Sequence, residues 1–166
     1  LGVGGAIVYA LYKPLAENDE NKIASLVKVY GTAYKVIGII IGVVGICLMP
    51  FLDIIITEQP NITESIYVLY LLNLFNTVIT YFYSYRSSLL IAAQQNYIVV
   101  GINYIITILQ SIFQMIILVT THNYMAYILI QTIGTIIYNL TVSHVAVIRY
   151  PCITNKNVEP LSKDEK

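Results

Sequence analysis

The residues of this chain that are best suited to bind a ligand are amides and hydroxyls, which recur at every third or fourth position of apolar segments. This spacing places them on one face of a helix, so they form three polar rows. The candidate ligand contacts are Asn73, Asn76 and Thr80 in the first row, Asn103, Thr107, Gln110 and Gln114 in the second, and Gln131, Tyr138 and Asn139 in the third. Amides both donate and accept, and beside Tyr rings they suit a neutral polyhydroxylated ligand better than a bare ion.

Two interpretations of these rows stay open. An amide without a partner costs several kcal/mol in hydrocarbon, so the rows must face each other, another part of the protein, or water. They can line a water-filled pathway, or they can join helices through hydrogen bonds worth about 0.6–2 kcal/mol each. We favour the pathway for aligned rows of Asn and Gln, and the packing role for any single Ser or Thr.

Basic residues form a second set of candidates. Arg86 directly follows the first polar row, and Lys13 and Lys35 lie near the ends of other apolar segments. Each is a candidate contact for the diphosphate of a lipid headgroup. Each can alternatively be an anchor whose side chain extends to the lipid phosphates. For Arg86 we favour the anchor.

No combination of residues predicts catalysis. The sequence has no legible arrangement of Ser, His and Asp or of Cys and His, and Cys47 and Cys152 have no partner at the spacing of a metal site. We therefore expect no enzyme, no cofactor and no metal. The net charge of zero gives no indication of nucleic-acid binding.

The polar rows lie in segments that belong in lipid. The 62 residues between Arg86 and Arg149 include no Asp, Glu, Lys or Arg, whereas a soluble domain needs charge on its surface. A helix of about 20 apolar residues crosses a bilayer. Four segments have this length, at residues 33–57, 65–85, 97–120 and 124–148. The predicted fold class is therefore all-α, a polytopic transmembrane helix bundle.

The remaining segments are shorter or more polar. Residues 1–12 are apolar but too short to cross a bilayer, so we expect a truncated transmembrane helix whose first half precedes this sequence. Residues 13–31 predict a cytoplasmic amphipathic helix capped by Asn18 or Asp19. Residues 151–166 predict a polar cytoplasmic tail or linker.

The orientation follows from the basic residues. All nine Lys and Arg residues fall on the connections of one side of the predicted bundle. The positive-inside rule makes that side cytoplasmic, with the C-terminal tail on it. Within residues 33–57, Gly38, Gly42 and Gly45 predict close helix packing, and Pro50 predicts a kink near the outer end.

Two stretches of the sequence resemble bacterial polysaccharide flippases. These are the O-antigen or lipid-linked oligosaccharide transporters of the superfamily that also includes MATE-type multidrug exporters. The matching residues are Leu11-Tyr12-Lys13-Pro14-Leu15-Ala16, Glu17-Asn18-Asp19-Glu20, Gly38 and Pro50-Phe51-Leu52, then Tyr85-Arg86-Ser87-Ser88-Leu89-Leu90 and Gln94-Gln95-Asn96-Tyr97. The resemblance covers about residues 1 to 150. It departs at Gly31-Thr32 and Gln95, where we expect basic residues in relatives.

The resemblance implies that the chain is part of the N-terminal lobe of a two-lobe, alternating-access transporter in the bacterial plasma membrane. The implied substrate is an undecaprenyl-diphosphate-linked oligosaccharide for capsule, O-antigen or exopolysaccharide synthesis, and the implied partner is a C-terminal lobe. The polar rows would then line the cavity, with Arg86, Lys13 or Lys35 near the inner mouth receiving the diphosphate. The alternatives are a MATE-type exporter of drugs or metabolites and a non-transporting membrane scaffold of a glycan-assembly complex.

Overall fold

The computed structural model describes residues 3–52 and 65–154. In these ranges the chain forms α-helices and short 3-10 turns, with no strand. The helices are α1 (Val3–Glu17), α2 (Glu20–Leu48), α3 (Ile66–Ala92), α4 (Asn96–Thr121) and α5 (Tyr124–Arg149). The 3-10 turns are Met49–Phe51 and Pro151–Thr154. Four helices, α2 to α5, are long and apolar enough to cross a membrane. The predicted all-α bundle is confirmed, and the chain is a multi-pass membrane protein.

The first two helices differ from the prediction in their bounds. α1 does not end at residue 12 but continues through Pro14 to Glu17. Its Ile7 and Leu11 are fully buried, with exposed fractions of 1% and 0%. Packing of this apolar face stabilises α1, although Pro14 has no N–H to donate within the helix.

α2 begins at the predicted cap and is longer than expected. The Lys22 backbone N–H donates to Asp19 Oδ1 at 3.0 Å, which confirms Asp19 as the N-cap. The prediction of a separate amphipathic helix at 13–31 is wrong. Residues 13–17 belong to α1, and α2 continues without a break through Gly31 into the first predicted span. A Cβ at Gly31 would stand 3.3 Å from the Tyr85 ring of α3. Gly31 is therefore a contact position and not the end of a helix.

The far end of α2 also differs from the predicted kink. α2 ends at Leu48, and Pro50 lies in the 3-10 turn that follows. Proline at this position removes an N–H that a continuing helix would need. Residues 53–57 of the first predicted span, the connection at 58–64 and residues 155–166 of the predicted tail lie outside the described residues.

The long helices pack in the order α2, α3, α5, α4. α3 packs against α2 and α5, α5 packs against α3 and α4, and α1 packs on α2 and α3. We refer to the four long helices in this order as the layer. α5 is thus inserted between α3 and α4, although it follows both in sequence. This insertion positions the candidate site.

Glycines bring α2 and α3 together, as the sequence predicts. A Cβ at Gly38 would stand 2.8 Å from the Phe82 ring, and a Cβ at Gly45 would collide with Leu74. The Tyr70 hydroxyl donates to the Gly45 carbonyl at 2.8 Å. Small residues permit this approach of two backbones in lipid, where van der Waals packing drives helix association.

The buried apolar contacts concentrate at the end of the layer that carries Arg86. The first cluster joins α1, α2, α3 and the last 3-10 turn, and includes Leu11, Leu89 and Cys152. Burial raises the pKa of the Cys152 thiol, and the Glu20 carboxylate raises it further. The second cluster joins α3, α4 and α5; its members are Leu90, Val99, Val142 and Ala146.

Candidate functional site

Two hydrogen bonds fix the register of α5 against its neighbours. The Arg86 guanidinium of α3 donates to the Ser143 hydroxyl of α5. Gln114 Nε2 of α4 donates to the Tyr127 carbonyl of α5 at 3.2 Å. α3 and α5 run in the same direction, and α4 runs in the opposite direction. Residues of the three helices that lie at the same level along the helix axes can therefore be identified.

On this register, the polar residues of the three helices fall at three shared heights. From the Arg86 end outward they are Thr80, Tyr138 and Asn103, then Thr77, Thr135 and Thr107, then Asn73, Gln131 and Gln110. The match follows from the rise of about 1.5 Å per residue in each helix. The rows are thus aligned in height as well as in period.

The angular period of about 100° per residue determines which side of the layer the α3 row faces. On α3, Leu74 faces α2 and Leu90 faces α5. Asn73, Thr77 and Thr80 lie between these two directions, on one side of the layer, and all of them are exposed.

The rows of α5 and α4 face the same side. On α5, Gly134 contacts the Gln110 amide of α4, and Ser143 contacts α3. Gln131 lies between these directions, on the side of the α3 row. On α4, which runs antiparallel, Thr107 is turned away from the Gln110 contact toward that same side.

We call this surface the polar face. It comprises Asn73, Thr77, Thr80 and Ser84 of α3, Asn103 and Thr107 of α4, and Gln131, Thr135 and Tyr138 of α5. The α5 residues are half-buried and form its floor, whereas most of the α3 and α4 residues are exposed on its flanks. The cluster of Leu90, Val99, Val142 and Ala146 joins the three helices at the Arg86 end.

Hydrogen bonding within α3 decides what its row offers a ligand. The Thr77 hydroxyl donates to the Asn73 carbonyl at 3.0 Å, and the Thr80 hydroxyl donates to the Asn76 carbonyl at 2.9 Å. Ser84 donates to the Thr80 carbonyl at 2.8 Å. These hydroxyl groups donate to backbone carbonyls of their own helix, so the row presents oxygen acceptors outward.

The other two helices supply free donors. Among the described residues, no hydrogen-bond partner is found for the side-chain amides of Asn103 and Gln131. Each amide has two N–H donors and an acceptor oxygen. The polar face therefore has an acceptor-rich edge on α3 and amide groups that can donate on α4 and α5.

The candidates that are not on the polar face lie in helix contacts. Gln114 is buried between α4 and α5. The Gln110 amide lies against Gly134, where the missing Cβ leaves space for it. Asn139 is buried and donates from Nδ2 to the Thr135 carbonyl at 2.9 Å. These positions have the packing role that the sequence left open.

Asn76 is a separate case. It lies on the α5-facing side of α3, and its Oδ1 is buried without a hydrogen-bond partner in the described structure. The Thr80 hydroxyl donates to the Asn76 backbone carbonyl and leaves the Asn76 side-chain oxygen without a donor. A buried amide oxygen without a donor is unfavourable, and a water between α3 and α5 would satisfy it.

The three basic candidates do not lie on the polar face. Arg86 borders a cleft with Ser143 and His144, on the opposite side of the layer from Gln131. Lys13 is exposed on α1, where its Nζ lies 4.0 Å from Glu17 Oε1. Lys35 is exposed on α2, which contributes no residue to the polar face. The structure thus separates the basic candidates from the polar rows that the sequence associates with them.

The grouping of Arg86 with Ser143 and His144 is the feature that the sequence did not predict. The partners are separated by 57 residues or more along the chain, and α4 lies between them in sequence. The available signal was the position of His144 one helical turn from the end of the last span. That signal alone predicts a packing residue.

The Gln110–Gly134 contact gives a first prediction, which concerns stability. Gly134→Ala places a methyl group where the Gln110 amide lies, so the side chain must move. We expect Gln110→Ala to relieve the strain, with a coupling free energy of about 0.5–3 kcal/mol in a double-mutant cycle. Unfolding by SDS titration in mixed micelles measures it. Additive single effects would contradict the contact.

Comparisons with known proteins give no assignment for this site. The scan against family models finds no match, and neither do the searches of curated proteins and of solved structures. The function is therefore argued from the polar face itself.

Proposed function

We propose that this chain is part of a transporter that moves a lipid-linked oligosaccharide from the cytoplasmic to the outer leaflet of the bacterial plasma membrane. The single observation that carries the proposal is the polar face. Three membrane-crossing helices turn amides and hydroxyls to one side, at shared heights, while apolar residues such as Ile108 and Met115 are exposed on other sides. Such a face cannot lie against acyl chains without loss of hydrogen bonding.

The hydrogen-bonding pattern supports a sugar as the ligand. Sugar hydroxyls donate to the acceptor-rich edge formed by Thr77 and Thr80, and they accept from the amides of Asn103 and Gln131. The described part of the polar face contains no carboxylate, which an exporter of cationic drugs would use. A neutral polyhydroxylated substrate therefore fits it better than a cation.

The polar face is one wall of the proposed pathway. Its exposed flanks at Asn73 and Asn103 need a second wall, which a C-terminal lobe of the same transporter provides in this proposal. Alternating access then opens the two walls first to the cytoplasm and then to the outside. In this proposal the Arg86 end lies in the cytoplasm, as the positive-inside rule predicts, and transport involves no enzymatic chemistry.

One observation favours a second function, that of a membrane scaffold without transport. Gln114 and Asn139 are buried in helix contacts, and the α3 hydroxyls bond to their own helix. A partner protein that covers the polar face would satisfy its remaining groups equally well. The two functions differ in whether water reaches the polar face.

Cysteine accessibility in the full-length protein tests this difference. In a Cys47→Ser, Cys152→Ser background, single cysteines replace Asn73, Thr77, Asn103 and Thr107, all exposed on the polar face. Matched controls on the same helices replace Phe75, Ile105 and Ile108, which are exposed toward lipid. A thiol needs water to ionise, so we expect a charged maleimide to label the polar face about tenfold faster.

Proteoliposomes are the appropriate sample, because they keep the bilayer on the control positions. Equal, slow labelling at both sets would contradict the pathway and support the scaffold. Equal, fast labelling at both sets would contradict the placement of Phe75, Ile105 and Ile108 in lipid.

A further inference from the structure

The side of the layer opposite the polar face has two openings in succession along α5. The first, which we call the Arg86 cleft, has a volume of about 550 Å³ and is lined by Arg86, Leu140, Thr141, Ser143, His144 and Val147. The second, the apolar notch, has a volume of about 330 Å³ and lies between α4 and α5. Its α5 residues are Ile130, Ile133, Gly134 and Ile137, one helical turn beyond the cleft.

The guanidinium of Arg86 is held in place but not neutralised. Its Nε donates to the Tyr85 hydroxyl at 3.0 Å, its Nη1 donates to Ser143, and its Cζ lies 5.5 Å from the Tyr85 ring centroid. No carboxylate of the described residues lies within ion-pair distance of it. A guanidinium has five N–H donors, so several remain for a ligand. A positioned cation at the edge of a bilayer favours a phosphate, which it can bind through two parallel hydrogen bonds.

The other lining residues of the Arg86 cleft fit the same ligand. His144 is exposed and adds a ring N–H donor beside the guanidinium, while Leu140 and Val147 are apolar. A cleft with donors at its centre and apolar walls suits a phosphate that carries hydrocarbon. A free phosphate ion would make no contact with those apolar walls.

The apolar notch continues this site toward the middle of the bilayer. The exposed surface of the notch is apolar, and the amide of the bordering Gln110 is turned inward against Gly134. The distance along α5 from His144 to Ile133 is about 16 Å at 1.5 Å per residue. That matches half of a hydrocarbon core of about 30 Å, the depth that one acyl chain covers.

We propose that this side of the layer binds one anionic phospholipid, with its phosphate at Arg86 and one acyl chain in the apolar notch. The occupant is a lipid of the leaflet at the Arg86 end, because both openings face the bilayer and no described segment covers them. A zwitterionic lipid carries its own cation next to the phosphate, so it competes poorly with an anionic one for Arg86. The site is independent of transport through the polar face.

Native mass spectrometry of the full-length protein tests the proposal. The protein is released from micelles that contain equal amounts of phosphatidylglycerol and phosphatidylcholine. We expect preferential retention of phosphatidylglycerol, and Arg86→Gln should reduce it about tenfold, as the loss of a charge-assisted phosphate contact does. Arg149→Gln is the matched control, because Arg149 is exposed at the end of α5, the helix that carries Ser143 and His144, and borders a different cleft; it should retain the lipid within about twofold.

Ile133→Trp tests the proposed acyl-chain site in the apolar notch without altering Arg86. Ile133 is 55% exposed, so a larger side chain fills the apolar notch without entering a core. We expect this variant to lose long-chain phosphatidylglycerol while it keeps a dihexanoyl form.

Three outcomes would overturn the proposal. The first two are equal retention of phosphatidylglycerol and phosphatidylcholine by the unaltered protein, and unchanged retention of phosphatidylglycerol in Arg86→Gln. The third is displacement of phosphatidylglycerol by equimolar undecaprenyl phosphate, because the site would then bind polyprenyl lipids in preference to phospholipids.

Discussion

Replacement of Gly45 by leucine should lower the free energy of unfolding by about 3 kcal/mol, which is the upper end of the range for overpacking. The cause is local. A Cβ on Gly45 already collides with the Leu74 side chain, and a full leucine side chain has to separate α2 from α3. Separation also breaks the hydrogen bond from the Tyr70 hydroxyl to the Gly45 carbonyl, which has a length of 2.8 Å. SDS titration followed by circular dichroism measures the change.

Gly101→Leu is the matched control for this variant. Gly101 lies on α4, and a Cβ there would have no neighbour within 4 Å. Glycine is less favourable than alanine in a helix by about 0.8–1 kcal/mol and leucine is close to alanine, so the control should be unchanged or slightly more stable. Equal stability of the Gly45 and Gly101 variants would show that α2 and α3 do not pack through Gly45.

The helices of this bundle follow closely from the sequence, because lipid imposes one simple requirement. A segment that crosses it must satisfy its own backbone hydrogen bonds, so uncharged stretches become helices. The predicted 97–120 and 124–148 correspond to Asn96–Thr121 and Tyr124–Arg149. The predicted segment 65–85 is too short, because α3 continues past Arg86 to Ala92. Arg86 marks the end of the apolar stretch, but the next turn of α3 buries Leu89 and Leu90 in the two apolar clusters, and this packing favours the longer helix.

The arrangement of the helices does not follow from the sequence in the same way. Periodicity predicts that Asn103 and Thr107 share a face of α4, but not which helix that face meets. That depends on the insertion of α5 between α3 and α4, and hence on contacts such as Gln110 with Gly134. For the same reason the sequence could not separate Gln114, which joins two helices, from Asn103, which is exposed.

This division between neighbouring amides leads to the prediction with the largest effect on function. In the full-length protein, the double variant Asn103→Leu, Gln131→Leu should reduce the flipping of lipid-linked oligosaccharide at least about tenfold. It removes two amides that have no partner in the described structure, so the substrate hydroxyls that they would bind remain desolvated and unpaired. Each such loss costs about 1–3 kcal/mol, and 1.4 kcal/mol corresponds to a factor of about ten. Proteoliposomes that carry a fluorescent lipid-linked glycan report the rate.

Gln114→Leu is the control that separates the polar face from ordinary helix packing. It makes the same chemical change on the same helix, but at a side chain that is buried against Tyr127 of α5. It should cost about 0.6 kcal/mol of stability and leave the flipping rate within a factor of about two. If the Asn103 and Gln131 variant folds normally and flips at the unaltered rate, the polar face is not a substrate pathway. A covering partner protein would then be the remaining explanation for three aligned rows of amides and hydroxyls in a membrane.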